Sequence, residues 1–384
     1  MVFIPSANEL DAGKLTVELT KSPKAIPESS SLVFGQTLTD HMLCIPWNIS
    51  TGWGAPEIKP YAPLPLDPAS TVLHYAATLF EGLKAYKDTA GRTRLFRPDL
   101  NLKRMLRGAE RMAFPTFDGE VLIELIKKLI KIDDRWVPTD PGCSLYLRPT
   151  MIGTRASLGV GPSTEVLLYV IMSPVAKYYS SGAKPVSLLA STRDVRAWPG
   201  GSGSYKFGSN YGPNVSTQME AAKQGYQQIL WLYGDVVTEV GMMNAVVALQ
   251  KEDGTVELVT PPLTDGMILP GVTRDSVLAL ARAHADPSTS FRMEGLPERL
   301  VVSEREITMT EVKEAQRAGK LLECFGTGTA AIITSVERIG HNGEDVKIPV
   351  EGSTGFGPIA EAMYNTLQAI QYGDVARSNW SVLV

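Results

Sequence analysis

Lys206 lies in the run GGSGSYKFGSNYGPN, residues 200–214, flanked by Tyr205 and Phe207. Most lysines are solvated surface charges. Aromatic neighbours that exclude water disfavour the charged form of an amine, and a lysine so placed can attack a carbonyl and hold it as a Schiff base. The run is not a P-loop, because Tyr205 replaces the glycine before the lysine and Phe207 the Ser/Thr that would bind magnesium. Tyr211 follows and offers a phenol, or simply packs in the loop. Glu239 stands in the apolar, strand-like DVVTEVGMMNAVVAL. A carboxylate there needs a partner: a protonated pyridine nitrogen, or else a backbone turn or an arginine. Two loops suit a phosphate. In LPGVTRDS, Gly271, Val272 and Thr273 open a predicted helix whose free N–H groups favour anions. FGTGTA, residues 325–330, is a second Gly/Thr turn after a strand. Its partial likeness to a dinucleotide fingerprint fails, because AAIITSV reads as a strand where that fingerprint needs a helix. Arg104, and Arg148 in SLYLRP beside Tyr146, are either anion ligands or structural ion pairs. Tyr75 and Phe80 are by default core aromatics.

These residues must be held by regular elements. Residues 1–40 read as an extended arm, and residues 47–65 as turns. Residues 70–86 form a β-rich apolar segment. A short strand at 94–96 precedes helices over 98–112 and 119–133, whose apolar positions recur at helical spacing. Strands follow at 144–151 and 165–172. The Ser-Ser-Gly stretch with its proline, 177–186, is the expected interdomain loop. Beyond it lie a strand at 186–190, the glycine-rich loop, a helix at 215–224, and strands at 228–232, 238–249 and 255–259. Helices at 273–285 and 309–318, a strand at 322–325 and a last helix at 358–372 complete the reading. Strands and helices mix without regular βαβ alternation, which predicts an α+β or mixed fold in two domains: 1–176, small, with the arm, and 187–384, large, with the lysine.

The 384 residues are 44% hydrophobic and 20% charged with a net charge of −4, which gives no basic field for nucleic acid or anionic lipid. The three cysteines, Cys44, Cys143 and Cys324, are far apart and form no CxxC. A disulfide framework or zinc site is not expected, and a reducing compartment is. The four histidines form no metal motif. The N-terminus reads as neither a signal nor a transit peptide. The expected compartment is the cytoplasm, or the mitochondrial matrix for a chain that has lost a presequence.

In order, HYAATLFEGLKAY, NLKR, SLYLRP, GSYKFGSNYGPN, TEVGMMN, ILPGVTR and FGTGTA resemble the fold-type IV, or class IV, pyridoxal-phosphate aminotransferases, and most closely the branched-chain amino acid aminotransferases. The likeness runs from about Leu73 to Ala330 and does not cover the arm. It implies a cofactor, pyridoxal 5′-phosphate, held at the domain interface. The implied reaction is reversible ping-pong transfer of the amino group of L-leucine, L-isoleucine or L-valine to 2-oxoglutarate. By this resemblance Lys206 would carry the cofactor as a Schiff base and shuttle the proton. Glu239 would pair with the ring nitrogen and Tyr211 with the ring oxygen. Arg104, the amides of Val272 and Thr273, and Thr329 would hold the phosphate, with Leu269, Gly271 and Gly328 bordering it. The turn Gly328–Thr329–Ala330 would receive the substrate α-carboxylate. Tyr75, Phe80, Tyr146, Val160 and Tyr178 would shape the side-chain pocket, some from the neighbouring subunit of a homodimer. Arg148 with Tyr75 would take the distal carboxylate of glutamate.

The same lysine and glutamate also fit a D-amino acid aminotransferase, an aminodeoxychorismate lyase or a non-catalytic cofactor-binding homologue; SLYLRP and LFEG favour the branched-chain group. Two departures stand out. Relatives with a thiol switch carry CxxC where this chain has AIIT, Ala331–Thr334, so no thiol regulation is expected. Met242 follows TEVG where threonine is common.

Overall fold

The computed structural model describes residues 8–177, 184–350 and 354–384. The chain divides into two compact units. One comprises Met1–Tyr178, Tyr205–Ser209 and Ile370–Val384; the other comprises Tyr179–Ser204 and Asn210–Ala369. This corrects the expected partition in two respects. The lysine segment and the C-terminal tail fall in the first unit rather than in 187–384, and the units are of similar size rather than small and large. Most of the expected linker, residues 178–183, lies outside the described residues.

The first unit is built on a ten-stranded sheet. Its centre pairs Ser144–Gly153 antiparallel with Glu165–Val175, and the latter pairs with His41–Asn48. The strand at His41–Asn48 was not foreseen, because HMLCIPWN is apolar without alternation and carries a proline. Most of it is buried, which removes the two-residue period that marks a half-exposed strand. Two helices cover the sheet. Pro98–Arg111 starts on the proline, whose missing N–H costs nothing at that position, and buries Leu102, Met105 and Ala109 at three- and four-residue spacing. Gly119–Ile132 is capped by Asp118, which accepts from the Glu120 N–H, and buries Leu122, Ile123, Leu125, Ile126, Leu129 and Ile130. Each such side chain contributes about 1.5–3 kcal/mol on leaving water. The arm is pinned by its apolar residues: Leu10 and Ala12 belong to this core. One apolar stretch differs from its reading, since Thr71–Tyr75 is a short helix ended by Ala76 in the left-handed region at φ +49°.

The second unit holds a nine-stranded mixed sheet. Val186–Ser191 lies parallel to both Gln228–Tyr233 and Ile332–His341. Val236–Val240 pairs with Gln228–Tyr233 on one side and with Met243–Gln250 on the other. That second pairing closes the central strands on themselves as a barrel. The span 238–249, expected as one strand, is therefore a hairpin. Gly241 turns it at φ +56°, a backbone region cheap only for glycine, and its absent Cβ would fall 2.3 Å from Gln228 Oε1. Helices Val272–Ala285 and Pro358–Tyr372 lie close to their expected positions.

Candidate active site

In the first unit Phe207 plugs the hydrophobic core and Leu79 forms a β-bridge with it. Tyr205 stacks on Phe207 with ring centroids 5.1 Å apart, and the Arg107 guanidinium lies over Tyr205 at 4.8 Å. Lys206, between these two residues in the chain, is half-buried, and its backbone carbonyl accepts from the Phe80 N–H at 3.0 Å. Its Nζ lies 4.9 Å from the centre of the Phe80 ring. Arg148 stacks on the Phe80 ring as well, at 4.7 Å, and donates through Nη2 to the Tyr146 hydroxyl at 3.0 Å. Gly82 makes room for that phenol, because a Cβ there would meet Tyr146 Oη at 2.1 Å. Lys206, Phe80, Tyr146 and Arg148 therefore form one cluster.

Arg104 is buried on its helix and gives Nε and Nη2 to Glu81 Oε1 and Oε2, each at 2.7 Å. Glu81, fully buried, also accepts from Asn101 Nδ2 at 2.9 Å and from the Gly82 N–H. Sequence reading named Arg104 and passed over its partner, although Glu81 stands in the quoted LFEG. Tyr75 and Val160, expected in the pocket, are 43% and 82% exposed. The Tyr75 hydroxyl donates to the Leu158 carbonyl, so the expected Arg148–Tyr75 pairing is not formed within one chain. Tyr178 lies outside the described residues.

In the second unit Glu239 is 2% exposed. Its Oε1 accepts the Leu269 N–H at 2.8 Å, and its Oε2 lies 3.2 Å from Arg196 Nη1. Both alternative partners weighed for this carboxylate, a backbone N–H and an arginine, are present. Asn244, in register with Glu239 across the hairpin, donates to the Leu269 carbonyl at 2.8 Å. The LPGV loop is thereby clipped to the hairpin at both polar groups of Leu269. Gly271 packs so tightly on Asn244 that a Cβ would meet Oδ1 at 2.1 Å. The helix it opens, Val272–Ala285, has no side-chain cap bond, and Val272 and Thr273 form its first turn. Thr329, Ala330 and Ala331 make the turn between Leu321–Gly328 and Ile332–His341, with Gly328 at the end of the first strand. Ile332, a β-branched residue, leaves that turn at φ +65°, a strained conformation of the kind that clusters at functional sites. Tyr211 and Met242 line an apolar groove of about 290 Å³ with Val215, Met219 and Trp231.

Arg196 and Asn244 were missed. VRAWPGG placed an arginine among apolar residues shortly before Lys206, and that signal was available. The three cysteines are free and buried, and burial pushes the Cys324 thiol up to about 12. Among the described residues there is no His/Cys/Asp/Glu group that could hold a metal ion, and no helix is long and apolar enough to cross a membrane.

Comparison with known proteins adds the family. The Amino-transferase class IV model matches residues 78–339. The mitochondrial branched-chain-amino-acid aminotransferase of Saccharomyces cerevisiae is 49% identical, over 98% of this chain and 93% of its own length. The cytosolic form of the same organism is 48% identical over 98% of both. A branched-chain amino acid aminotransferase from Thermobaculum terrenum, solved in its PLP-form, shares the fold at a TM-score of 0.68 and 23% identity. That match covers 91% of this chain and 99% of the other.

Proposed function

The chain belongs to the class IV aminotransferases and, among them, to the branched-chain-amino-acid aminotransferases, and from that premise we propose that it reversibly transfers the amino group of L-leucine, L-isoleucine or L-valine to 2-oxoglutarate. The observation that carries this is Lys206, a half-buried amine on an anchored segment, set over Phe80 beside a stacked arginine. Such an amine is shielded and aimed, as a carbonyl-binding lysine must be.

The residues present fit pyridoxal 5′-phosphate. Arg196 Nε and Thr327 Oγ1 are buried polar atoms without a hydrogen-bond partner among the described residues. Both neighbour the same cluster: Arg196 reaches Glu239, and Thr327 pairs with Asn244 in the sheet. A polar ligand would relieve such orphans. The uncapped helix at Val272 and Thr273 suits a phosphate. We assign Lys206 as the residue that carries the cofactor, and Arg104, Val272, Thr273 and Thr329 as phosphate ligands, with Leu269, Gly271 and Gly328 as their frame. Tyr211 is assigned to the ring oxygen and Glu239 to the ring nitrogen. When bound, the group supplies the electron sink that makes a substrate Cα–H acidic. Lys206 Nζ removes that proton and returns it. Phe80 and Tyr146 offer apolar walls to a branched side chain. The Arg148 guanidinium, fixed by stacking and by the Tyr146 hydroxyl, takes the distal carboxylate of glutamate. The amides of Thr329 and Ala330 take the α-carboxylate.

The active form is a homodimer. Leu73, Tyr75, Leu158 and Val160 are apolar and exposed, and Tyr75 ties two of their segments together, so a second copy would bury a joined apolar surface. We place the chain in the cytoplasm or the mitochondrial matrix, reducing settings that suit free thiols. The test is the absorbance of the purified protein before and after L-leucine. A visible band near roughly 410 nm that gives way to one near roughly 330 nm is expected. A protein that shows no band when supplied with pyridoxal phosphate contradicts the reading. A band that answers only to a D-amino acid overturns the substrate. An active monomer in light scattering would overturn the dimer.

A further inference from the structure

Arg196 is 6% exposed and follows the strand Val186–Ser191 at the head of the glycine-rich loop. A buried guanidinium is expensive to desolvate and persists only with charge and hydrogen-bond partners. Its partner is Glu239, at 3.2 Å, with both side chains almost wholly removed from solvent. The same Nη1 reaches back 3.5 Å to the Gly203 carbonyl. Gly203 is itself locked, since a Cβ there would fall 2.4 Å from both Ala197 Cβ and the Met267 carbonyl oxygen. One side chain thus joins the carboxylate in the hairpin to the loop that leads into Lys206. The Leu269 N–H fixes the other carboxylate oxygen.

We propose that Arg196 is a positioning residue that holds Glu239 in its charged, aimed form before the cofactor arrives, an inference that rests on the reading of Glu239 as the partner of the ring nitrogen. Without the arginine, a carboxylate this deeply buried keeps the Leu269 N–H and the distant Asn244 amide but loses the charge that Arg196 sets 3.2 Å away. It then takes up a proton or turns away from Arg196's place. The charged group seen against the carboxylate is Arg196, and the Tyr211 ring centre lies 6.0 Å from that guanidinium.

The test is a double-mutant cycle read on the full-length apo-protein, with R196M and E239Q alone and together. The readouts are the dissociation constant for pyridoxal 5′-phosphate and the proton uptake on binding, taken by calorimetry in buffers of different ionisation enthalpy. R196M is expected to weaken binding roughly 10- to 100-fold in the Glu239 background and to add nothing in the E239Q background. Near about pH 9, R196M is expected to take up less solvent proton than the wild type, by as much as about one proton, because its carboxyl already carries one. An equal loss in both backgrounds would show that Arg196 acts independently of Glu239 and would overturn the proposal, as would no loss in either. If R196M does not fold, R196K replaces it in the same cycle with a loss of about tenfold expected only in the Glu239 background. A wild-type apo-protein that binds no pyridoxal phosphate would defeat the cofactor reading itself. The thermal midpoints of the same variants still report whether the two residues are coupled, which keeps the two failures apart.

Discussion

Each unit buries an arginine–carboxylate pair among the residues selected for chemistry, and the two pairs are built differently. Arg104 and Glu81 meet as a two-bond fork at 2.7 Å, and the carboxylate is completed by Asn101 and a backbone N–H. Arg196 and Glu239 touch at a single 3.2 Å approach, and the arginine keeps a buried Nε without a partner among the described residues. A saturated fork is a brace: it fixes a guanidinium and resists change. A looser pair with an unmatched donor is a poised arrangement, stable enough to fold and incomplete enough to receive a ligand. The partner that sequence reading selected also differs. It was the arginine in the first unit and the carboxylate in the second, and in each the unselected partner holds the selected one.

The contrast can be broken or sharpened experimentally. The largest effect is expected at Lys206, because nothing else there can hold a carbonyl. Lys206→Ala should lower kcat by about four orders of magnitude or more, with an unchanged circular dichroism spectrum, since Phe207 and not the lysine fills the core. Residual activity near wild type would remove it from the chemistry. Next, the brace and the poised pair should separate by what they damage. Glu81→Leu removes the carboxylate that forks onto buried Arg104, and should cost about 3–5 kcal/mol, a fall in Tm of about 5 °C. Glu239→Gln keeps an oxygen for the Leu269 N–H and for Arg196, so Tm should fall less than in Glu81→Leu while kcat falls about 100-fold or more. Equal thermal losses in the two variants would erase the distinction drawn between the pairs.

Arg148→Ala should raise the KM for glutamate about 10- to 100-fold and that for leucine less than about threefold, because only glutamate presents a second carboxylate. Equal changes would make Arg148 structural. The smallest effect concerns Lys84, on the strand Leu83–Lys87, whose burial lowers its ammonium to about 8. The folded protein then binds fewer protons than the unfolded one between about pH 8 and 10.5. Stability from this group is complete above the unfolded value and is lost as pH falls through about 8. Relative to Lys84→Met, the wild type should therefore gain stability from pH 8 upward, by up to roughly 3 kcal/mol, measured as denaturant midpoints across that range. A pH-independent difference would show that Lys84 holds its proton as tightly in the folded protein as in the unfolded chain.

Helices were legible wherever a single face was apolar. Pro98–Arg111 and Gly119–Ile132 carry a start signal and a 3.6-residue pattern that needs no distant partner. The strand His41–Asn48 and the hairpin at Gly241 were not legible. A fully buried strand loses its alternation, and a two-residue turn inside an apolar run leaves one glycine as its only mark. The site residues were legible as types in an order: a lysine between aromatics, a carboxylate in an apolar strand, a glycine at a helix start. Their partners were not, because Glu81 and Arg104, or Arg196 and Glu239, meet only once strands and loops far apart in the chain are packed.

The sequence by itself determined which chemistry this protein could do, since the motifs and their order name the reactive groups and the family. It also set the helices, whose stabilising pattern is local. The tertiary structure alone decided which unit holds Lys206, that Arg148 rests on Phe80 rather than reaching Tyr75 within its own chain, and that Glu81 pairs with Arg104 and Arg196 with Glu239. The physical reason is that a buried charge must be matched, and its match is chosen by distance in space, which the linear order of residues does not record.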